Sequence, residues 1–317
     1  MTITLKHILL TTDFSDAARA TYSHAEALAQ ISGARVTLLH VDEAPIADFA
    51  HSEDFVRYHS HMVELRNNLL EEDVTRLSNE GLEVSVETRT GSPALTILEA
   101  AEELGVDLII MARQSRRGLA QWLMGSTTRR VARRTRIPLW LLPAMAEGAT
   151  APAPPPYDTI LTATDFSEDS ELGLQSAVPL ARALGAELLL AHVIPPPVEV
   201  MMFPGDAPVL LPEGLQSQLE ELHKERLEHL VERHGHQCRV VLESGSAVEG
   251  IVRAAEREGA GLIVIPSHGK GAIRANLFGS TTESLLEIAS VPVLVLPRPW
   301  LIAQRVGAEA TLIPALT

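Results

Sequence analysis

The chain has 317 residues, of which 46% are hydrophobic, 21% charged and 4% aromatic, and its formal net charge is −15. That length suits two ordinary domains with aliphatic cores, and the acidic balance, −5 over residues 1–150 and −10 over the rest, repels nucleic acid and anionic lipid. A single cysteine, Cys238, excludes an internal disulfide framework and a cysteine-based zinc site; no apolar run spans a bilayer and the N-terminus lacks signal-peptide features, so the expected location is cytoplasmic.

In chain order, short apolar runs bounded by turn residues predict buried strands at 8–12, 35–41, 83–88, 108–111 and 139–142. Amphipathic stretches at 17–32, 54–79 and 93–104 predict the helices between them. Gly33, Gly81 and Gly105 stand where helices close. The segment AMAEGATAPAPPPYD, 144–158, has no helical or strand period and reads as an extended linker. This divides the chain into a first domain at 1–147, a linker at 148–157 and a second domain at 158–317. Strands then recur at 160–164, 187–193, 239–243, 262–265 and 293–296. The alternation implies an α/β fold: two tandem open five-stranded parallel sheets with helices on both faces, Rossmann-like in type.

The second half repeats the first. HILLTTDFSDAA at 7–18 returns as TILTATDFSEDS at 159–170, so Asp13 matches Asp165 at an offset of 152. His40-Val41 falls on His192-Val193 in the same register. Farther along the offset is 154, and Gly125-Ser126-Thr127-Thr128 falls on Gly279-Ser280-Thr281-Thr282.

Ligands of open parallel sheets bind beyond the carboxyl ends of the strands. In the second half those ends carry Thr164-Asp165, then His192-Val193, then PSHGKGAIRANLFGSTTESLL at 266–286. Here Gly269 and Gly271 follow a buried strand, and Gly279-Ser280-Thr281 opens a helix. Glycines admit a phosphate close to the backbone, and helix-opening N–H groups bind anions. On its own a Gly-Ser-Thr helix start is more often a plain cap.

Gly269, nine intervening residues and Gly279-Ser280 resemble the Gly-x2-Gly-x9-Gly-Ser/Thr motif of the ATP-binding members of the universal stress protein family. Pro266 stands in the place of the first glycine. The likeness extends over both halves, through the strand-1 Asp and the Ile137-Pro138 and Val291-Pro292 pairs, and marks a tandem-domain member. It implies the adenine-nucleotide α-hydrolase-like fold and an ATP site, with Mg²⁺, in the second domain. Thr164, Asp165 and Val193 would hold the adenine and ribose. Gly269, Gly279, Ser280 and Thr281 would cradle the phosphates, beside Pro266 and the ring of His268. Pro266 removes an N–H that could face the ligand. In the first half Ala112 and Ser115 occupy both glycine positions, so that copy reads as a degenerate pairing partner.

No Walker loop, nucleophile elbow or metal dyad is present, so the expectation is a stress-response binding protein and not an enzyme. The alternative is a stress scaffold that binds no nucleotide. His59-x-His61 falls in a helix, where the two rings diverge, and His234, His236 and Cys238 fall in a loop; neither set is expected to hold a metal. Trp122 and Trp140 read as core. The proline-broken segment 195–214 is a lid or partner surface, or covers its own core, and the apolar tail from 300 is expected to dock on the body.

Arg113, Arg116, Arg117, Arg129, Arg130, Arg133, Arg134 and Arg136 cluster in the first half. A solvated helix face is the ordinary reading, and an anion site the sharper one. The positions equivalent to Arg129 and Arg133 are Glu283 and Glu287. Dimers of the resembled family pair their fifth strands, which implies an internal pseudo-dimer favoured by this charge asymmetry, with a homodimer as a further partner. Reversing Glu283 and Glu287 to arginine is then expected to weaken association of the two halves, read by limited proteolysis and thermal unfolding; unchanged behaviour would count against the pairing.

Overall fold

The computed structural model describes residues 5–43, 53–113, 124–143, 157–195, 214–234, 238–269 and 278–306. Most of the expected linker, nearly all of the 195–214 segment, Arg116, Arg117, Ser115, Trp122, His236, Gly271 and the tail beyond 306 lie outside them. The chain divides into two compact units, Thr4–Pro155 and Pro156–Thr317.

In the first unit, β1 (His7–Thr12), α1 (Asp16–Ala20), α2 (Tyr22–Ser32), β2 (Arg35–Asp42), α3 (Glu53–Asn79) and β3 (Val84–Thr90) are followed by α4 (Pro93–Glu103), β4 (Leu108–Ala112), α5 (Ser126–Arg134) and β5 (Leu139–Leu142). All pairings are parallel in the order β3-β2-β1-β4-β5. The second unit repeats the plan with β6 (Thr159–Ala163), α6 (Glu168–Leu184), β7 (Glu187–Ile194), α7 (Leu215–His234), β8 (Arg239–Ser244), α8 (Ala247–Arg257), β9 (Leu262–Pro266), α9 (Ser280–Ile288), β10 (Val293–Leu296) and α10 (Arg298–Val306). Its order is β8-β7-β6-β9-β10, again parallel. The chain is therefore an α/β protein with two five-stranded parallel sheets.

The central strands are aliphatic because helices cover both of their faces. Ile8, Leu9 and Leu10 in β1, and Ile160 and Leu161 in β6, are fully buried. The strand β3, by contrast, is partly exposed along its length, as its polar sequence VSVETRT requires. Gly33 and Gly185 end α2 and α6 in the left-handed region, at φ of 70° and 67°, where a side chain would be strained.

The helix expected at 17–32 is two helices. Thr21, fully buried, turns its hydroxyl back to the Ala18 carbonyl at 2.6 Å, a local bond that competes with helix continuation. The break lets Tyr22 reach Thr12 Oγ1 at 2.9 Å and Asp73 Oδ2 at 2.8 Å, while Arg19 Nε lies 3.1 Å from Asp73 Oδ1. Gly173 stands at the equivalent place in the second unit, and α6 runs unbroken. His59 and His61 are exposed on α3, and Trp140 is buried. From residue 298 the chain forms α10, which buries Leu301 and sets Arg298 Nε 3.3 Å from Asp169 on α6.

The buried phenol of Tyr22, whose pKa burial raises far above the ordinary value, carries both hydroxyl bonds. Replacing Tyr22 with Phe leaves the carboxylate of Asp73, itself buried, short of a donor. The expected cost is ~1–2 kcal/mol of stability in urea unfolding.

Candidate functional site

The second unit's site is built where β6 and β9 part. Their pairing runs from Ile160–Leu262 to Thr162–Val264 and stops there. Beyond it, Thr164-Asp165-Phe166-Ser167 makes a tight turn into α6. Phe166 takes φ of 61°, unusual for a bulky residue, and its N–H donates to Thr164 Oγ1 at 3.0 Å. Asp165 Oδ1 accepts from the Ser167 N–H at 3.0 Å and from its hydroxyl. Ser167 in turn caps α6, and Ser170 Oγ lies 3.0 Å from Thr164 Oγ1. The carboxylate is thereby fixed at the sheet edge.

From β9 the chain runs through Ser267, His268 and Gly269. A Cβ on Gly269 would lie 2.6 Å from Asp165 Oδ2, so a side chain there would have to push this carboxylate aside. Across the cleft, Gly279 donates its N–H to the Ser267 carbonyl at 2.8 Å, and Thr282 Oγ1 donates to the Pro266 carbonyl at 2.9 Å. These bonds anchor the start of α9 to the end of β9. Gly279 is the N-cap and has no side chain to cap the helix, so the opening N–H groups of α9 are not met by a capping side chain.

The nine residues singled out from the sequence, Thr164, Asp165, Val193, Pro266, His268, Gly269, Gly279, Ser280 and Thr281, all line one cavity of about 410 Å³. That volume lies within the range of small-molecule sites. Ser170, His192, Ala247, Ile251 and Phe278 line it as well and were not among the nine.

The ring of Pro266 reaches toward α6. Its Cδ would lie 3.3 Å from a Cβ on Gly173, and its nitrogen 3.9 Å. The N–Cδ bond stands where an N–H would, so the lost N–H points toward the helix. Pro266 lines the cavity as well. At the equivalent positions the first unit has Thr21 and Ala112: bulk that sits on the helix there sits on the strand here.

His192 is the main residue that motif reasoning missed. Its Nδ1 lies 2.7 Å from the Thr164 carbonyl, which can only accept, so this nitrogen carries the proton. Its Nε2 then accepts from His223 Nδ1 on α7 at 2.8 Å. Burial, with His223 and Arg226 nearby, holds the His192 pKa below the ordinary value despite the Thr164 carbonyl, so the ring is neutral near pH 7. Phe166 packs 4.5 Å from it, centroid to centroid, with the Arg226 guanidinium carbon 3.9 Å from the Phe166 ring centroid. The sequence signal was the repeated His-Val at the end of the second strand; the contact with His223 has no signal in the first copy, where Asp42 lies 3.3 Å from His40 Nε2.

In the first unit the Thr12-Asp13-Phe14-Ser15 turn is reproduced, with Phe14 at φ of 64°. The Thr12 hydroxyl there is engaged by Tyr22, and Arg113 is buried at the place of Ser267.

The universal stress protein family model matches residues 4–143 and again 156–297. A universal stress protein of Mycobacterium tuberculosis is 30% identical over 216 residues, 68% of this chain and 69% of that relative. A universal stress protein of Methanocaldococcus jannaschii is 31% identical over 156 residues, covering 45% of this chain and 96% of the relative. The crystal structure of a universal stress protein from Archaeoglobus fulgidus shares the fold, with a TM-score of 0.65 and 22% identity over 92% of this chain and 98% of that one.

Gly250 on α8 tests how tightly the cavity wall is packed. A Cβ there would fall 2.7 Å from both γ-methyls of Val193, a residue stiff about χ1. Gly250→Ala is expected to gain ~1 kcal/mol in helix propensity and lose more than that to overpacking. A net loss of ~1 kcal/mol in urea unfolding is the expected result.

Proposed function

The chain belongs to the universal stress protein family, and from that premise we propose that it is a cytoplasmic stress-response protein that binds ATP, with Mg²⁺, in the cavity of its second unit. The observation that carries the reading is the convergence of Asp165, Gly269 and the uncapped start of α9 on one cavity. Among the described residues, no helix is long and apolar enough to cross a membrane. The phosphates would lie against Gly269, Gly279, Ser280 and Thr281, where backbone N–H groups and two hydroxyls favour anions. Thr164, Asp165 and Val193 would take the adenine and ribose. Pro266 packs on α6 and lines the same cavity.

The protein acts by binding and not by catalysis: the site supplies orientation and anion donors, and occupancy would be read out through conformation or a partner. The first unit serves as a structural partner in an internal pseudo-dimer, and whole chains can pair in turn. The alternative, a scaffold that binds no nucleotide, is favoured for the first unit by one observation, the capture of the Thr12 hydroxyl by Tyr22.

Calorimetry with ATP and Mg²⁺ tests the reading. Saturable binding of one nucleotide per chain is expected, weakened about tenfold or more (~1.4 kcal/mol) by Gly269→Ala, which displaces Asp165. Gly279→Ala with Ser280→Ala is expected to lose it. No heat at millimolar ATP, with the protein folded and free of copurified nucleotide, would overturn the proposal and leave the scaffold.

A further inference from the structure

His268 is buried in the second unit, at 8% exposure, and lines the cavity between Pro266 and Gly269. Its Nε2 is buried and has no hydrogen-bond partner among the described residues. An orphaned buried imidazole nitrogen is costly, and a site that keeps one needs a reason.

The other ring nitrogen explains its state. Ser267 Oγ accepts the backbone N–H of Arg298 at 3.0 Å. The same oxygen lies 2.7 Å from His268 Nδ1. The Arg298 N–H can only donate; with the Ser267 hydroxyl donating to Nδ1 one group is left unpaired, whereas the reverse direction would leave two, the hydroxyl hydrogen and the Nε2 lone pair. The ring proton then resides on Nε2. This relay, from the first residue of α10 through Ser267, holds the ring in one tautomer, with an N–H as the orphan. An N–H in a cavity beside a helix N-terminus is a donor awaiting an acceptor.

The charged and titratable surroundings are as follows. From α6 comes Asp169, which favours the protonated ring, and from α10 comes Arg298, which opposes it. Asp169 and Arg298 lie 3.3 Å apart, so each offsets the other. From the β6 turn comes Asp165, held by Ser167, and from β7 comes His192, engaged by Thr164 and His223. Burial is the largest influence on His268 and holds its pKa below the ordinary value, so the ring is neutral at pH 7 in the free protein.

Resting on the nucleotide reading above, we infer that His268 Nε2–H donates to an anionic oxygen of the bound polyphosphate and that the ring gains a proton at Nδ1 as the ligand binds, the Ser267 hydroxyl turning from donor to acceptor. Ser267 is a positioning residue that sets the tautomer. A negative charge at Nε2 stabilises the imidazolium, so the pKa in the complex lies above that of the free site. The sign follows from linkage. Where the complex holds more protons than the free protein, affinity rises as pH falls through the bound-state pKa, and it levels off below the free-state pKa. The site would thus hold polyphosphate more tightly in an acidified cell than at pH 8, with no other change to its walls.

The test is ATP calorimetry on the full chain from pH 8 to pH 6, for wild type and His268→Gln, in buffers of differing ionisation enthalpy. The terminal phosphate itself titrates near ~6. The quantity read is therefore the ratio of wild-type to variant affinity, from which the ligand's own titration cancels. That ratio is expected to rise about fivefold or more across the range, and proton uptake is expected in wild type beyond that in the variant. Imidazole ¹⁵N shifts provide a second readout. His268 is expected to be the Nε2–H tautomer when free, to turn cationic with ATP at pH 6.5, and to lose its tautomer preference in Ser267→Ala. Equal pH profiles for wild type and His268→Gln, or a ring that stays neutral in the complex at pH 6, would overturn this inference and leave the nucleotide site intact. Absence of ATP binding by the wild type would overturn both.

Discussion

The site depends on a limit to pairing. The strands β6 and β9 hold each other for only three residue pairs, from Ile160 with Leu262 to Thr162 with Val264. One neighbour of β6 follows it in sequence through α6, and the other arrives from α8, so the sheet grows in opposite directions from this strand. Right-handed crossovers then send the flanking helices to opposite faces, and the chains leaving β6 and β9 diverge. The cleft is a product of topology, and no special side chain is needed to open it. Side chains decide what fills it: the Asp165 carboxylate from one chain and the Gly269 backbone from the other meet across a gap that would not admit a methyl group.

The two units show how separable the fold and the site are. Both keep the Thr-Asp-Phe-Ser turn, a left-handed Phe, and a histidine whose Nδ1 bonds the threonine carbonyl, at 2.9 Å in one and 2.7 Å in the other. Both anchor the helix after the fourth strand by the same two bonds, Gly125 to Arg113 and Thr128 to Ala112 in the first unit. These contacts hold the sheet edge together, and they survive in a unit that keeps Gly125 but has Ala112 and Ser115 at the two earlier glycine positions. What differs is how each threonine hydroxyl and each histidine Nε2 is occupied: Tyr22 and Asp42 in the first unit, Ser170 and His223 in the second. The first unit has turned its polar edge inward, into the buried Tyr22–Asp73–Arg19 cluster, and the second has left its edge open on a cavity.

Much of this was legible in the sequence because it is written in periodicity and repetition. The apolar runs mark the strands to within a residue or two, and the duplication identifies the equivalent sheet edges. The residues that escaped are those whose role is set by long-range contact. Thr21 lies in a helical pattern, yet it is where α1 gives way to α2, with its N–H and its buried hydroxyl both bonded to the Ala18 carbonyl. Pro266 reads as a lost donor, and only the proximity of Gly173 shows which way the missing N–H would have pointed. The pairing of His192 with His223 joins a strand to a helix across 31 positions, where no local pattern operates.

The electrostatics of the cavity constrain what could hold an anion there. Among the described lining residues there is no lysine or arginine, and Asp165 is the one side chain with a full charge at pH 7. The second half of the chain carries −10, so the long-range field opposes a polyphosphate approaching it. What the described lining residues offer an anion is oriented dipoles at short range: the opening N–H groups of α9, the hydroxyls of Ser280 and Thr281, and the N–H of His268. Such donors act through geometry, and they lose less to added salt than surface ion pairs do. A site made this way depends on distance more than on charge. That is why Gly269 and Gly279 in its lining, and Gly250 behind Val193, are places where the space for a single Cβ is tight.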